Sequence, residues 1–232
     1  MAITYQVKFY KGDYRERQRA ANADDCIAYI EQHFNSASSS SNYAVVITGY
    51  GASQASKNWG RWYAKSVGRE FGIPVAGDGG ILVGGYNGRG DANLRYTKMP
   101  AVLLEPLFAS NPRHAEWIIS ETGQYRLALI LVESIRRFFP DGGKIAFSVG
   151  HKYKISSPDD KGANVVGGGM EADYAEEVLL RAKTMLETGI EEEPAGRKIR
   201  VMRDGEELWH YYADEDEYID WDPVRGILRV LS

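Results

Sequence analysis

Four side chains in this 232-residue sequence have types and positions suited to holding a cation or moving a proton: His33, Glu105, His151 and Glu171. Glu105 closes the apolar run of residues 101–104, the pattern of a strand buried in a parallel sheet. An ionised carboxylate is costly to bury unpaired. It calls for a cation, a metal-bound water or solvent at the strand's end, which is where α/β proteins keep their sites; a salt bridge or a loop cap accounts for it equally well. His33 follows AYIEQ and His151 follows KIAFSVG, so both histidines sit just past a buried strand, at the same structural address as Glu105. Glu171 opens a helical stretch after the three glycines of residues 167–169. Two histidines and a carboxylate that leave a fourth position open form a catalytic zinc shell, and a second carboxylate beside it can handle the proton. Hydrogen-bonded surface histidines are the plain alternative. His114, beside Arg113 and Glu116 near a helix start, reads as a surface residue, and His210 among Trp209, Tyr211 and Tyr212 reads as packing in a C-terminal β unit.

The elements that must position these residues alternate along the chain. ITYQVKFY alternates like a strand, and YRERQRAANADDCIAYI carries a polar helical stretch into the run Cys26 to Ile30, which EQHFN follows with His33. The segment SASSSSN, residues 36–42, is a polar loop; it either borders a cleft next to His33 or is a plain solvent loop. YAVVITGYG is a buried strand, and SQASKNWGRWYAKSVGREF has helical spacing in Trp59, Trp62, Tyr63 and Val67. The glycine-rich stretch of residues 72–94 must be loops and short strands. HAEWII and QYRLALILVESIRRFF are helices, PDGG is a turn, KIAFSVG is a strand, and ADYAEEVLLRAKTMLETG is an amphipathic helix with Gly189 as its cap. This is a mostly parallel α/β sheet flanked by helices. From about residue 191 the character changes: EEEPAGRK is a linker, and two hairpins follow, one turning at DG and one around DPVRG. Residues 1–190 are therefore expected to form one domain and 191–232 a linker with a small β appendage. The acidic run Asp214 to Glu217 lacks the spacing of a calcium loop and reads as a solvated edge.

Composition narrows the function. With 44% hydrophobic and 12% aromatic residues the chain can bury a sizeable core. A net charge of -4 with scattered Lys and Arg offers nothing to nucleic acid. Cys26 is the only cysteine, which excludes an intramolecular disulfide and a thiolate-rich metal site. The N-terminal stretch lacks signal-peptide organisation, and no segment has the roughly 20 apolar residues of a membrane span. GYGAS lacks the glycine of a nucleophile elbow, and GGYNGRGD lacks the ending of a phosphate loop.

Four stretches together resemble the zinc-dependent N-acetylmuramoyl-L-alanine amidases of the type-3 amidase family, which cut peptidoglycan. They are Gly150-His151 with DKGAN and GGGMEADYAEEVLLRAKTMLETG after it; RQRAAN at residues 17–22; HFN at residues 33–35; and NGRGDANLRYTKMPAVLLEPLFASNP. The resemblance implies zinc held by His33, His151 and Glu171, Glu105 as catalytic acid/base, and cleavage of the amide between N-acetylmuramic acid and L-alanine. Asn35 and Arg89 are possible substrate contacts, and a structural role suits each at least as well. In the family the GH and zinc-glutamate segment comes first, whereas here it comes last. A circular permutation accounts for this, with PDGG joining the family's old ends. Lys152, Tyr153 and Leu107 stand where the family commonly has glycine, and Glu31-Gln32 is more polar than the family's apolar-serine pattern before the second histidine; altered substrate approach is the expectation. Two other readings stand beside the amidase: a non-catalytic wall-binding or phage structural module that retains the zinc fold, and a zinc hydrolase of another amide. The expected setting is cytoplasmic synthesis without a signal peptide, followed by action on the wall in phage lysis or from a phage tail, or by cytosolic recycling. Peptidoglycan is the expected partner, with no nucleic acid and no membrane insertion, and nothing in the pattern specifies an oligomer.

Overall fold

The structure is a computed structural model that describes residues 3–189, 197–203, 206–213, 218–222 and 227–231. The chain divides into two compact units, Met1–Glu191 and Glu192–Ser232. The first is built on β1 (Tyr5–Phe9), α1 (Tyr14–Ala23), β2 (Ala28–Gln32), β3 (Val45–Thr48), α2 (Gln54–Glu70), β4 (Ile81–Val83), β5 (Ala101–Glu105), α3 (Pro112–Ile119), α4 (Glu121–Phe138), β6 (Gly143–Val149) and α5 (Glu171–Thr188). Six strands form one sheet in the order β1-β6-β2-β5-β3-β4. All neighbours are parallel except β3 and β5, so the expected mostly parallel α/β sheet is what the chain forms.

The central strands carry apolar runs because both faces are covered. β2 and β3 are buried at every position. α2, α4 and α5 pack side by side, with α2 against β3 and β5 and α5 against β1 and β6. A second apolar cluster joins Ala21 on α1 to Tyr29, Ile47, Leu103 and Ala146 of four strands. The helices begin at side-chain caps that satisfy free backbone donors: Ser53 accepts from Ser56 N, Asn111 from Arg113 N and His114 N, and Ser120 from Gly123 N. α5 ends at Gly189, whose left-handed φ of 70° suits the expected cap.

One expectation is corrected. His114 is not a surface residue but is buried, 1% exposed. Its Nδ1 accepts the Phe108 N–H at 3.0 Å, and its Nε2 bonds Asn42 Oδ1 at 2.9 Å. The ring thus ties the turn after β5 to the loop before β3, and Arg113 and Glu116 beside it in sequence say nothing of the side on which it faces the core.

The second unit contains two antiparallel hairpins, β7 (Arg197–Arg203) with β8 (Glu206–Ala213) and β9 (Tyr218–Asp222) with β10 (Ile227–Leu231). The linker expected over residues 191–198 is shorter than that, because Arg197 and Lys198 already belong to β7; residues 191–196, the DG turn at 204–205, the acidic run 214–217, the turn at 223–226 and the side chain of His210 lie outside the described residues. Among the described residues no helix is long and apolar enough to cross a membrane.

Candidate metal centre

Sheet order explains why residues far apart in sequence converge. β6, β2 and β5 are adjacent and parallel, and Gln32 lies opposite both Leu104 and Val149. The three strands therefore end level. The next residues out are His33 after β2, Glu105 closing β5, and Gly150-His151 after β6. Glu171 enters from the first turn of α5, and the Ala163 N–H holds its Oε2 at 2.8 Å.

The ligand set is compact. Glu171 Oε1 lies 3.3 Å from His33 Nδ1 and 3.3 Å from His151 Nε2. The two imidazoles meet edge to face with centroids 4.9 Å apart. One donor atom from each of the three residues falls within 4.8 Å of the others. Two nitrogens and one carboxylate oxygen, with room beside them, make the donor set of a catalytic zinc site, so the residues fit that metal. Each histidine is also held from behind: His33 Nε2 bonds Glu31 Oε1 at 2.9 Å, and His151 Nδ1 bonds Asp160 Oδ1 at 2.9 Å. Carboxylates in that position fix ring orientation in metal sites. In sequence Glu31 registers only as a polar departure, and Asp160 only as the first residue of DKGAN, with no role attached to it. The available signal for Glu31 is its place two residues before His33, which puts both on one face of the strand.

Electrostatics follow the geometry. Burial disfavours a charged His33, but its bonds to Glu171 and Glu31 outweigh burial and push its pKa up to about 10. Burial drives the Glu105 pKa up to about 7, with His33 opposing the rise and Glu171 adding to it. Glu105 Oε2 is buried without a hydrogen-bond partner. The residue lines the same cavity of about 770 Å³ as His33, His151 and Glu171. Burial opposes ionisation of Asp160, but hydrogen bonds from Lys154, the Gly162 N–H and His151 hold its carboxyl well below the usual range.

Two glycines are required by close approach. A Cβ at Gly150 would meet three atoms of the His33 ring, and one at Gly162, whose φ is +74°, would meet the Glu171 carboxylate. The residues that stand where glycine was expected do not crowd the site. Lys152 Nζ reaches Asp173 at 2.7 Å and Glu176 at 2.6 Å, and the Tyr153 hydroxyl donates to Glu176 at 2.6 Å. Leu107 is fully buried and lends its carbonyl to Asn35 N. None of the three lines the cavity. Asn35 and Arg89 do line it, as do Ser36 and Ala37 of the serine-rich loop. Asn35 donates to the Tyr86 hydroxyl at 3.2 Å and accepts from Ser36 N at 2.8 Å, while Arg89 is exposed.

Three comparisons place the chain among known proteins. Solved structures that match it include the catalytic domain of CwlV, an N-acetylmuramoyl-L-alanine amidase from Bacillus (Paenibacillus) polymyxa var. colistinus, with 26% identity over 56% of this chain and 66% of that one, TM-score 0.43. Others are the N-acetylmuramoyl-L-alanine amidase of Clostridium difficile 630, with 21% identity over 55% of this chain and 66% of that one, TM-score 0.44, and Ami1 of Mycobacterium smegmatis, with 23% identity over 54% and 59%, TM-score 0.42. The match thus spans less than two thirds of each solved chain. No curated protein matches. The family model described as N-acetylmuramoyl-L-alanine amidase matches residues 3–137, more than half of the sequence, and the chain belongs to that family.

Proposed function

We propose that the protein is a zinc-dependent hydrolase that cleaves the amide between N-acetylmuramic acid and L-alanine in peptidoglycan. The observation that carries this reading is the convergence of His33, His151 and Glu171 on one point of a cavity that Glu105 also lines. Zinc held by those three residues would lower the pKa of a water toward ~7 and polarise the substrate carbonyl. Glu105 does the proton work: its buried, unpartnered Oε2 takes a proton from the attacking water and delivers it to the departing L-alanine nitrogen. A carboxyl with a pKa near 7 can both accept and return a proton at neutral pH. Asn35 and Arg89 at the cavity wall are the proposed substrate contacts. The non-catalytic reading rested on the residues that replace glycine beside His151 and Glu105, and those side chains turn away from the cavity.

We also propose that the domain, residues 1–190, is circularly permuted relative to its family. The family match stops at residue 137, whereas His151 and Glu171 lie beyond it. Two contacts between α5 and β1 support this reading. Near the end of α5, Glu187 Oε1 accepts the Val7 N–H at 2.7 Å, and Lys183 Nζ donates to Val7 O at 2.9 Å, so α5 finishes beside β1. Action on the wall during phage lysis, from a phage tail or in recycling is the proposed setting.

The test is digestion of purified cell wall with the full chain, with products identified by mass spectrometry. Stem peptides bearing a free N-terminal L-alanine, absent when a chelator is added, are expected. Intact wall with a zinc-loaded protein would overturn the activity, and cleavage of a different amide would overturn the substrate.

A further inference from the structure

Glu31 occupies a place that carboxylates seldom take. It lies in the middle of the sheet on β2 and is fully buried, and a buried ion costs several kcal/mol unless its hydrogen bonds are satisfied. Here every lone pair has a donor. Oε1 accepts from His33 Nε2 at 2.9 Å and from Asn93 Nδ2; Oε2 accepts from Ser148 Oγ at 3.1 Å and from the Tyr29 hydroxyl at 3.2 Å. Arg17, also fully buried, stands behind Ser148. Its Nη1 donates to Ser148 Oγ at 2.8 Å and to Val149 O at 2.7 Å, and its Nη2 donates to Lys152 O. One guanidinium therefore grips the backbone on both sides of His151 and, through a single hydroxyl, the carboxylate behind His33.

We infer that Glu31 is the positioning residue of the metal site. It holds His33 with a proton on Nε2 so that Nδ1 is the ligating atom, and the Arg17–Ser148 pair fixes Glu31 and the His151 loop in one frame before metal arrives. The inference rests on the zinc reading above. A side chain that merely filled the core would not decide which imidazole nitrogen meets the metal. The four donors around Glu31 do decide it: they leave the carboxylate one orientation, and that orientation takes Nε2 and directs Nδ1 to Glu171.

The test is NMR on the full chain with 15N-labelled histidine. Metal-free protein should show a His33 Nε2–H protected from exchange with water, and added zinc should shift the Nδ1 resonance while leaving Nε2–H in place. An unprotected Nε2–H, or zinc that displaces the Nε2 proton, overturns the inference. Wild-type protein that takes up no zinc at all overturns the zinc reading instead, and is told apart because the Nε2–H signal is read without metal. Glu31→Gln should weaken zinc binding about 10- to 100-fold in competition with a chelator, the usual effect of removing a carboxylate behind a ligating histidine. An affinity within about twofold of wild type would contradict the proposal. If the glutamine protein does not fold, Ser148→Ala, which removes one donor and the link to Arg17, carries the same test: zinc binding weakened several-fold supports the inference, and unchanged binding overturns it.

Discussion

Gly150→Ala asks whether the site's shape depends on one missing carbon. Gly150 follows β6, and its backbone lies against the His33 ring, so an added Cβ would sit inside 3.0 Å of Cε1, Nδ1 and Nε2, where ordinary contact begins at 3.4 Å. The ring cannot retreat freely, because Glu31 holds Nε2 at 2.9 Å and Glu171 meets Nδ1 at 3.3 Å. Restoring contact distance needs a movement of about 1 Å, a misplacement that can cost on the order of 100-fold in activity. Overpacking a site of this kind also costs about 1–3 kcal/mol of stability. Zinc affinity by chelator competition, wall-hydrolysis rate and thermal unfolding should be measured on Gly150→Ala beside Gly51→Ala, whose Cβ would meet nothing within 4 Å. The expected result is a folded protein with much weaker zinc binding and activity lost by about 100-fold, while Gly51→Ala behaves as wild type. Wild-type zinc affinity in Gly150→Ala would refute the packing of these two segments against each other.

Glu105→Gln should keep zinc and fold while turnover falls by about 10²- to 10⁴-fold, the usual worth of a general acid/base; near-normal turnover would make this carboxylate structural only. Burial, with Arg113 adding to it, lowers the His114 pKa from 6.5 to about 4. The unfolded chain therefore binds a proton below pH 6.5 that the folded protein refuses until about pH 4, and this ring's contribution to stability is complete above 6.5 and lost as pH falls toward 4. Melting temperature against pH should fall less steeply over that window in His114→Gln than in wild type; parallel curves would mean the ring is not held neutral. A rearranged chain that starts near Lys144, joins Gly189 to Ile3 through a short linker and ends near Phe139, without residues 191–232, should be soluble, bind zinc and unfold cooperatively, because the cut trims at most Gly143 from the start of β6 and leaves every other strand whole. If it is insoluble while simple removal of residues 192–232 is tolerated, the permuted topology is wrong.

The parts of the site legible in sequence are those that depend on chain direction. The strands AYIEQ before His33 and KIAFSVG before His151, and the apolar run that closes on Glu105, mark strand ends, and parallel neighbours put strand ends together. The convergence of 33, 105 and 151 needed only that β6, β2 and β5 be adjacent, which the family resemblance implies and periodicity alone does not. What sequence could not supply depends on orientation within an element. Asp160 sits in a loop whose path is set by the hydrogen bonds from Lys154 and Gly162. The direction in which Lys152 and Tyr153 point follows from Asp173 and Glu176 on α5. His114 looked exposed because charged residues flank it, and a helical neighbour in sequence is not a neighbour on the same face. The need for glycine at 150 is likewise invisible until the His33 ring is placed.

Zinc content of the purified chain tests the central claim most directly, because the site unites three residues separated by up to 138 positions. Prepared without chelator, wild-type protein is expected to carry one zinc per chain. His33→Ala, His151→Ala and Glu171→Ala should each empty or greatly weaken the site, whereas His210→Ala should leave it full. A wild-type zinc content near zero, or a site emptied by the His210 substitution, would contradict the account.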